Sequence, residues 1–169
     1  MKPVLGLCGF SGAGKTTLLS KLIPALNNLG IRVSVIKHAH HNFDIDHPGK
    51  DSYKIRKSGA KQTLVASNQR WALMTETPHV GNEPNLQYLL SQLDTSLIDI
   101  ILVEGFKHAP IPKIEIYREA LGKPLLAQED SNVIAVASDT ALPISRTHIN
   151  LNDIEAIAQF IQTRFKLTS

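Results

Sequence analysis

Val4-Leu-Gly-Leu-Cys8 runs directly into Gly9-Phe-Ser-Gly-Ala-Gly14-Lys15-Thr16-Thr17, and this junction decides how the chain folds. The apolar run of residues 4–9 reads as a strand buried on both faces of a parallel sheet. Residues 9–16 fit G-x-x-x-x-G-K-[ST] in full. Glycines at 9, 12 and 14 let the backbone curl until successive amides point into one concavity. A helix predicted to begin near Lys15 adds its N-terminal amides and its dipole to the same anion site. Lys15 suits the β- and γ-phosphates of a nucleotide, and the Thr16 hydroxyl suits Mg²⁺. Ser11, Gly12, Ala13, Gly14, Lys15, Thr16 and Thr17 are therefore expected to cradle a nucleotide's phosphates, with Lys15 also in a catalytic role.

Outward from the loop, Leu18, Leu19, Leu22, Ile23 and Leu26 lie on one helical stripe, Gly30 reads as a C-cap, and Pro24 predicts a kink. Residues 98–103 and 133–137 repeat the buried-strand pattern, and residues 32–37 are a fourth strand candidate. Asn152 and Glu155 read as a capping box before Ile154, Ile157, Ala158, Ile161 and Phe165 at helical spacing. Two β-rich stretches, 62–67 and 70–76, meet at Asn68 as an antiparallel hairpin. Residues 113–117 alternate charged and apolar side chains, predicting a half-exposed strand, while 119–132 reads as loop with a short helix. This grammar predicts the α/β class: a three-layer P-loop NTPase fold with a mostly parallel central sheet and an added antiparallel β-hairpin at 62–76. Residues 1–169 are expected to form a single nucleotide-binding domain.

Composition narrows the function classes. With 43% hydrophobic and 20% charged residues, the 169-residue chain is ordinary globular material. Its net charge of +3 is scattered, so nucleic acid is not expected as a partner. No apolar run approaches the ~18 residues that span a bilayer, so no membrane partner is expected either. The only cysteine, Cys8, excludes an intramolecular disulfide framework and fits a reducing cytoplasm.

A phosphate loop working with Mg²⁺ also needs a carboxylate, commonly at the end of a neighbouring buried strand. The 98–103 run ends in Glu104-Gly105: Glu104 is the leading candidate, catalytic and metal-binding, while Gly105 and Asp51 are expected among the nucleotide-binding residues. Asp51 competes for the metal; its other reading is a helix N-terminal carboxylate satisfying amides. His38, His40, His41 and His47 are interleaved with Asp44 and Asp46. That loop reads as a lid or partner contact before it reads as a metal site, since no pair has catalytic-zinc spacing on a helix and no cysteine contributes. Trp71, on the hairpin, reads as cover for an exposed sheet face or as part of a subunit or partner surface.

Taken together, residues 9–17, Ile36-Lys-His-Ala-His-His41, Pro48-Gly-Lys-Asp-Ser52, Gln69-Arg-Trp-Ala72, Val103-Glu-Gly-Phe-Lys107 and Ile134-Ala-Val-Ala-Ser-Asp139 resemble the molybdopterin-guanine dinucleotide biosynthesis adapter proteins, the MobB family. The likeness covers most of the chain. It implies a GTP-binding protein with weak GTPase activity and Mg²⁺, a homodimer, and association with molybdopterin guanylyltransferase in molybdenum cofactor assembly, as an adapter and not as the transferase. Two other classes compete: a small-molecule P-loop kinase, and a metallochaperone-type GTPase. Residues 133–137 end in Ser138-Asp139, where a base-reading loop lies if the domain is wound like other guanine-nucleotide binders. Asp139 is therefore expected to accept both donors on one edge of guanine; its other reading is a cap on the turn toward Pro143.

Overall fold

A computed structural model describes residues 2–39, 43–77 and 84–168. The chain divides into two units, Met1–His38 with Asn85–Ser169, and Ala39–Pro84. In the first unit, strands β1 (Val4–Cys8), β2 (Val33–Lys37), β5 (Ile100–Glu104), β6 (Lys113–Tyr117), β7 (Val133–Ser138) and β8 (Thr147–Asn150) form one sheet in the order β2-β5-β1-β6-β7-β8. Every pairing in it is parallel. The second unit holds α2 (Asp51–Lys57) and the antiparallel pair β3 (Gln62–Ala66) and β4 (Trp71–Thr75). Helices α1 (Lys15–Asn28), α3 (Leu86–Ser91) and α4 (Ile154–Phe165) belong to the first unit.

Strand alternation builds the three layers. Leu5 and Leu7 of β1, Ile100 and Leu102 of β5, Ile114 and Ile116 of β6, and Ala135 and Ala137 of β7 share one core with Leu18, Leu22 and Leu26 of α1 and Ile157 and Ile161 of α4. On the opposite face Ile101 and Val103 pack with Leu86 and Leu90 of α3. Cys8, Val133 and Val136 cluster with Ala127 of a short 3₁₀ turn, Leu126–Gln128. Burial, with Glu115 close by, pushes the Cys8 thiol up to about 12, so it is a protonated packing group at neutral pH.

Pro24 sits inside α1, which continues through it to Asn28. Two local expectations change. The cap of α4 is Asp153, whose side chain accepts from the Ala156 amide at 2.9 Å, and not Asn152; the Asn150 side chain instead accepts from the Asn152 amide. The strand expected to be half exposed, β6, is interior, and Lys113 and Glu115 are each 1% exposed. Their burial is compensated: Lys113 Nζ pairs with Asp130 at 2.6 Å, and the Glu115 carboxylate accepts from the backbone amides of Leu126 and Ala127 at 2.9 and 2.8 Å. Burial still holds the Glu115 carboxyl above its ordinary range, against those two amides. Alternating charge signals exposure only when no partner waits inside, and here the 126–130 segment supplies both partners.

Candidate functional site

The phosphate loop leaves the C-terminal end of β1 and enters α1 at Lys15. Gly9, Gly12 and Gly14 have φ of 143°, 83° and 94°. A Cβ on Gly9 would stand 2.4 Å from the Ile116 carbonyl oxygen of β6, so no larger residue fits that turn. Ala13, 1% exposed, anchors the loop in the α1-side core. Lys15 Nζ donates to the carbonyls of Gly9 and Phe10 at 2.9 and 3.0 Å, so its ammonium lies across the loop it springs from. Ser11 and Thr17 are exposed on the same loop and first turn.

Glu104 is the last residue of β5, 7% exposed, and in register with Leu7 of β1 on one side and Lys37 of β2 on the other. That register brings the end of β5 beside the start of α1. Thr16 Oγ1 lies 3.2 and 3.4 Å from the two Glu104 carboxylate oxygens. A third group joins them: Lys37 Nζ donates to Thr16 Oγ1 at 3.1 Å and to Glu104 Oε2 at 3.0 Å. Gly105 comes next with φ 98°, and a Cβ there would meet His38 Cβ at 2.8 Å. His38 in turn donates its backbone amide to the Glu104 carbonyl at 2.9 Å and rests its ring 5.2 Å from that of Phe106.

Thr16 and Glu104 supply hard oxygen donors side by side, the donor set Mg²⁺ takes when substrate phosphates complete its shell. Among the described residues no three His, Cys, Asp or Glu side chains gather as a metal cage. His40 and His41 of the histidine-rich loop lie outside the described residues. Asp44 and Asp46 of the same loop are engaged by Arg56, at 2.7 and 2.6 Å. Asp51 occupies the first turn of α2 with its side chain 92% exposed, 3.5 Å from Lys54.

Asp139 comes directly after β7, and its carboxylate accepts from Arg118 Nη1 at 3.2 Å and from the Glu119 amide at 3.3 Å. The same Arg118 donates through Nε to the Ala13 carbonyl at 3.1 Å, and its guanidinium lies 3.6 Å from where a Gly14 Cβ would be. Arg118 thus ties the phosphate loop to Asp139. In the turn toward Pro143, which Asp139's other reading would cap, the Ser138 hydroxyl accepts from the Thr140 amide at 3.1 Å. Sequence reasoning misses both Lys37 and Arg118. Each stands at or just past the C-terminal end of a strand flanking the β5-β1 pair, the edge where ligands of open α/β sheets bind. That position is the available signal. Arg118 and Ala13 stand 105 residues apart in the chain, so no local pattern links them.

In the second unit, the β3-β4 hairpin leaves Leu64, Trp71 and Leu73 on one face, 59%, 68% and 42% exposed. Val65, Ala72 and Met74 of its other face line a cleft of about 380 Å³ together with Trp71, Lys50 and Arg70.

Residues 4–139 match the family model described as "Molybdopterin guanine dinucleotide synthesis protein B". A molybdopterin-guanine dinucleotide biosynthesis adapter protein of Escherichia coli (strain K12) is 55% identical over 162 residues, covering 95% of this chain and 92% of that protein. A Haemophilus influenzae adapter protein of the same name is 51% identical, with 95% of this chain and 88% of that one covered. Among solved structures, a crystal structure of molybdopterin-guanine biosynthesis protein B superposes with a TM-score of 0.77 at 26% identity, covering 97% of this chain and 99% of that one.

Proposed function

Because the chain belongs to the molybdopterin guanine dinucleotide synthesis protein B family, MobB, we propose that it is a GTP-binding adapter with weak GTPase activity that assists synthesis of molybdopterin guanine dinucleotide in molybdenum cofactor assembly. The observation that carries the nucleotide half of this reading is the meeting of Thr16 and Glu104 at the mouth of a complete phosphate loop. In this reading the loop amides of residues 11–17 cradle the phosphates, and Lys15 exchanges its carbonyl partners for β- and γ-phosphate oxygens. Thr16 and Glu104 hold Mg²⁺, which neutralises phosphate charge when bound. Glu104 is preferred to Asp51 because it is buried beside Thr16, whereas Asp51 is a solvated carboxylate at a helix start.

Asp139 reads the guanine edge, held in place by Arg118 and the Glu119 amide. A carboxylate keeps further lone pairs for the ring N1–H and the exocyclic amine. The apolar hairpin face around Trp71 suits a second copy of the chain or the guanylyltransferase partner. Hydrolysis is slow in this reading, at roughly 10⁻⁴ s⁻¹ for the isolated protein, because Arg118 is committed to Ala13 and Asp139 and does not act as a finger on the transferring phosphoryl group.

The test is co-purification with molybdopterin guanylyltransferase in the presence and absence of Mg²⁺-GTP, alongside phosphate release by the isolated protein. Capture of the guanylyltransferase with turnover far below one per second is the expected result. No capture, or turnover above about one per second, overturns the adapter reading. Lys15→Ala is expected to lower GTP affinity about ten- to a hundredfold in a folded protein, through loss of charge-assisted phosphate contacts.

A further inference from the structure

Lys37 has no role in the reading above, yet its ammonium touches both groups assigned to the metal. It lies 3.1 Å from Thr16 Oγ1 and 3.0 Å from Glu104 Oε2, a contact fixed by the register of β2 on β5. We propose that Lys37 is a built-in counter-cation of the Thr16–Glu104 site, which Mg²⁺ must displace, so that metal entry is coupled to arrival of the nucleotide. The inference rests on the assignment of this site to Mg²⁺-GTP.

Burial supplies the first part of the argument. The Glu104 side chain is 9% exposed, and a carboxylate so far from water needs a positive partner. Lys15 does not serve, since it is engaged by Gly9 and Phe10; Lys37 does. Its side chain is 52% exposed, so the flexible stem has solvent in which to move away. An ammonium about 3 Å from both oxygen groups cannot remain there once a divalent cation coordinates them, because like charges at that spacing repel strongly. Before nucleotide arrives, free Mg²⁺ therefore competes with a tethered cation held at high effective concentration. A bound triphosphate changes the balance twice. It adds oxygen ligands for the metal, and it gives the released ammonium an anionic partner a few ångströms away. Mg²⁺ and GTP then promote each other's binding, and by linkage the effect is reciprocal. In metal-free solution Lys37 keeps its place on Thr16 and Glu104, so it adds little to GTP binding until Mg²⁺ displaces it toward the phosphates.

The measurement is GTP affinity by calorimetry in EDTA and in saturating Mg²⁺, for wild type, Lys37→Met and Lys37→Arg. Loss of the released ammonium's phosphate contact is expected to weaken binding in Mg²⁺ about tenfold in Lys37→Met, the scale of one charge-assisted contact, with a much smaller change in EDTA, where Lys37 keeps its place on Glu104. The Mg²⁺/EDTA affinity ratio therefore falls about tenfold, while Lys37→Arg keeps the wild-type ratio. Lys37→Gln carries the same expectation should the methionine variant not fold. An unchanged ratio, or an equal loss in both conditions, overturns the counter-cation role and leaves Lys37 as a surface pair or an ordinary phosphate contact. Wild type that binds no GTP in either condition overturns the Mg²⁺-GTP assignment itself.

Discussion

Asp139 shows how much one side chain's chemistry depends on who else reaches it. By sequence it is a carboxylate after a buried strand; in the fold it is the far end of a bridge, through Arg118, to the Ala13 carbonyl of the phosphate loop. If Asp139 reads guanine, Asp139→Asn replaces one acceptor by a donor that faces the guanine amine. GTP affinity is then expected to fall about ten- to a hundredfold, and xanthosine triphosphate, whose exocyclic oxygen accepts from the new amide, to gain relative to GTP. Competition binding of the two nucleotides to wild type and variant checks this; an unaltered preference places base recognition elsewhere. Arg118 is invisible to motif reading because an arginine's reach is a property of the strand it comes after. Thr16 and Lys15 are legible because their roles are set by neighbours close by in the chain.

At the scale of elements, β6 separates what patterning can and cannot convey. Its sequence, Lys-Ile-Glu-Ile-Tyr, has the period-two rhythm of a strand, and the chain places it between β1 and β7 in the middle of the sheet. The rhythm conveys the strand correctly and its environment wrongly. Lys113 is buried with a single carboxylate partner, so Lys113→Ala removes packed methylenes and leaves Asp130 without its cation. The expected cost is about 3 kcal/mol, in the range found for breaking buried pairs from one side, read as a lower denaturant midpoint at unchanged slope. Lys113→Ala as stable as wild type would show that the pair contributes nothing net. Caps teach the same lesson on a smaller scale: the choice of Asp153 over Asn152 for α4 depends on backbone direction at the turn, which a sequence of two adjacent polar residues does not specify.

Across the whole molecule, the two units are held by different physics. The buried apolar clusters all draw on residues 4–36 and 86–167. The described residues of the 39–84 unit are organised instead around Arg56, 7% exposed, which binds Asp44, Asp46 and Glu76 at 2.6–3.0 Å. The Arg56 hydrogen bond holds the Asp46 carboxyl below its ordinary range, against the opposing effect of burial. A depressed carboxylate stabilises the fold above its unfolded value near 3.8, and that contribution is lost as pH falls through the lower folded value. The 39–84 unit is therefore expected to hold its structure down to about pH 4 and to loosen below it. Fluorescence of Trp71, the protein's one tryptophan, reports it; a signal that changes already between about pH 7 and 5 would assign the unit's stability to some other group. By itself the sequence determined the phosphate loop, the strand and helix alternation, the hairpin and the family, because all of these rest on local residue order and on periods of two and 3.6 residues. The strand order, the burial of Lys113 and Glu115, and the gathering of Thr16, Glu104 and Lys37 on the β5 side of the phosphate loop and of Ala13, Arg118 and Asp139 on its β6 side were decided only by tertiary structure. They depend on which strands lie side by side, and parallel neighbours joined by long crossovers bring together residues that no local pattern connects.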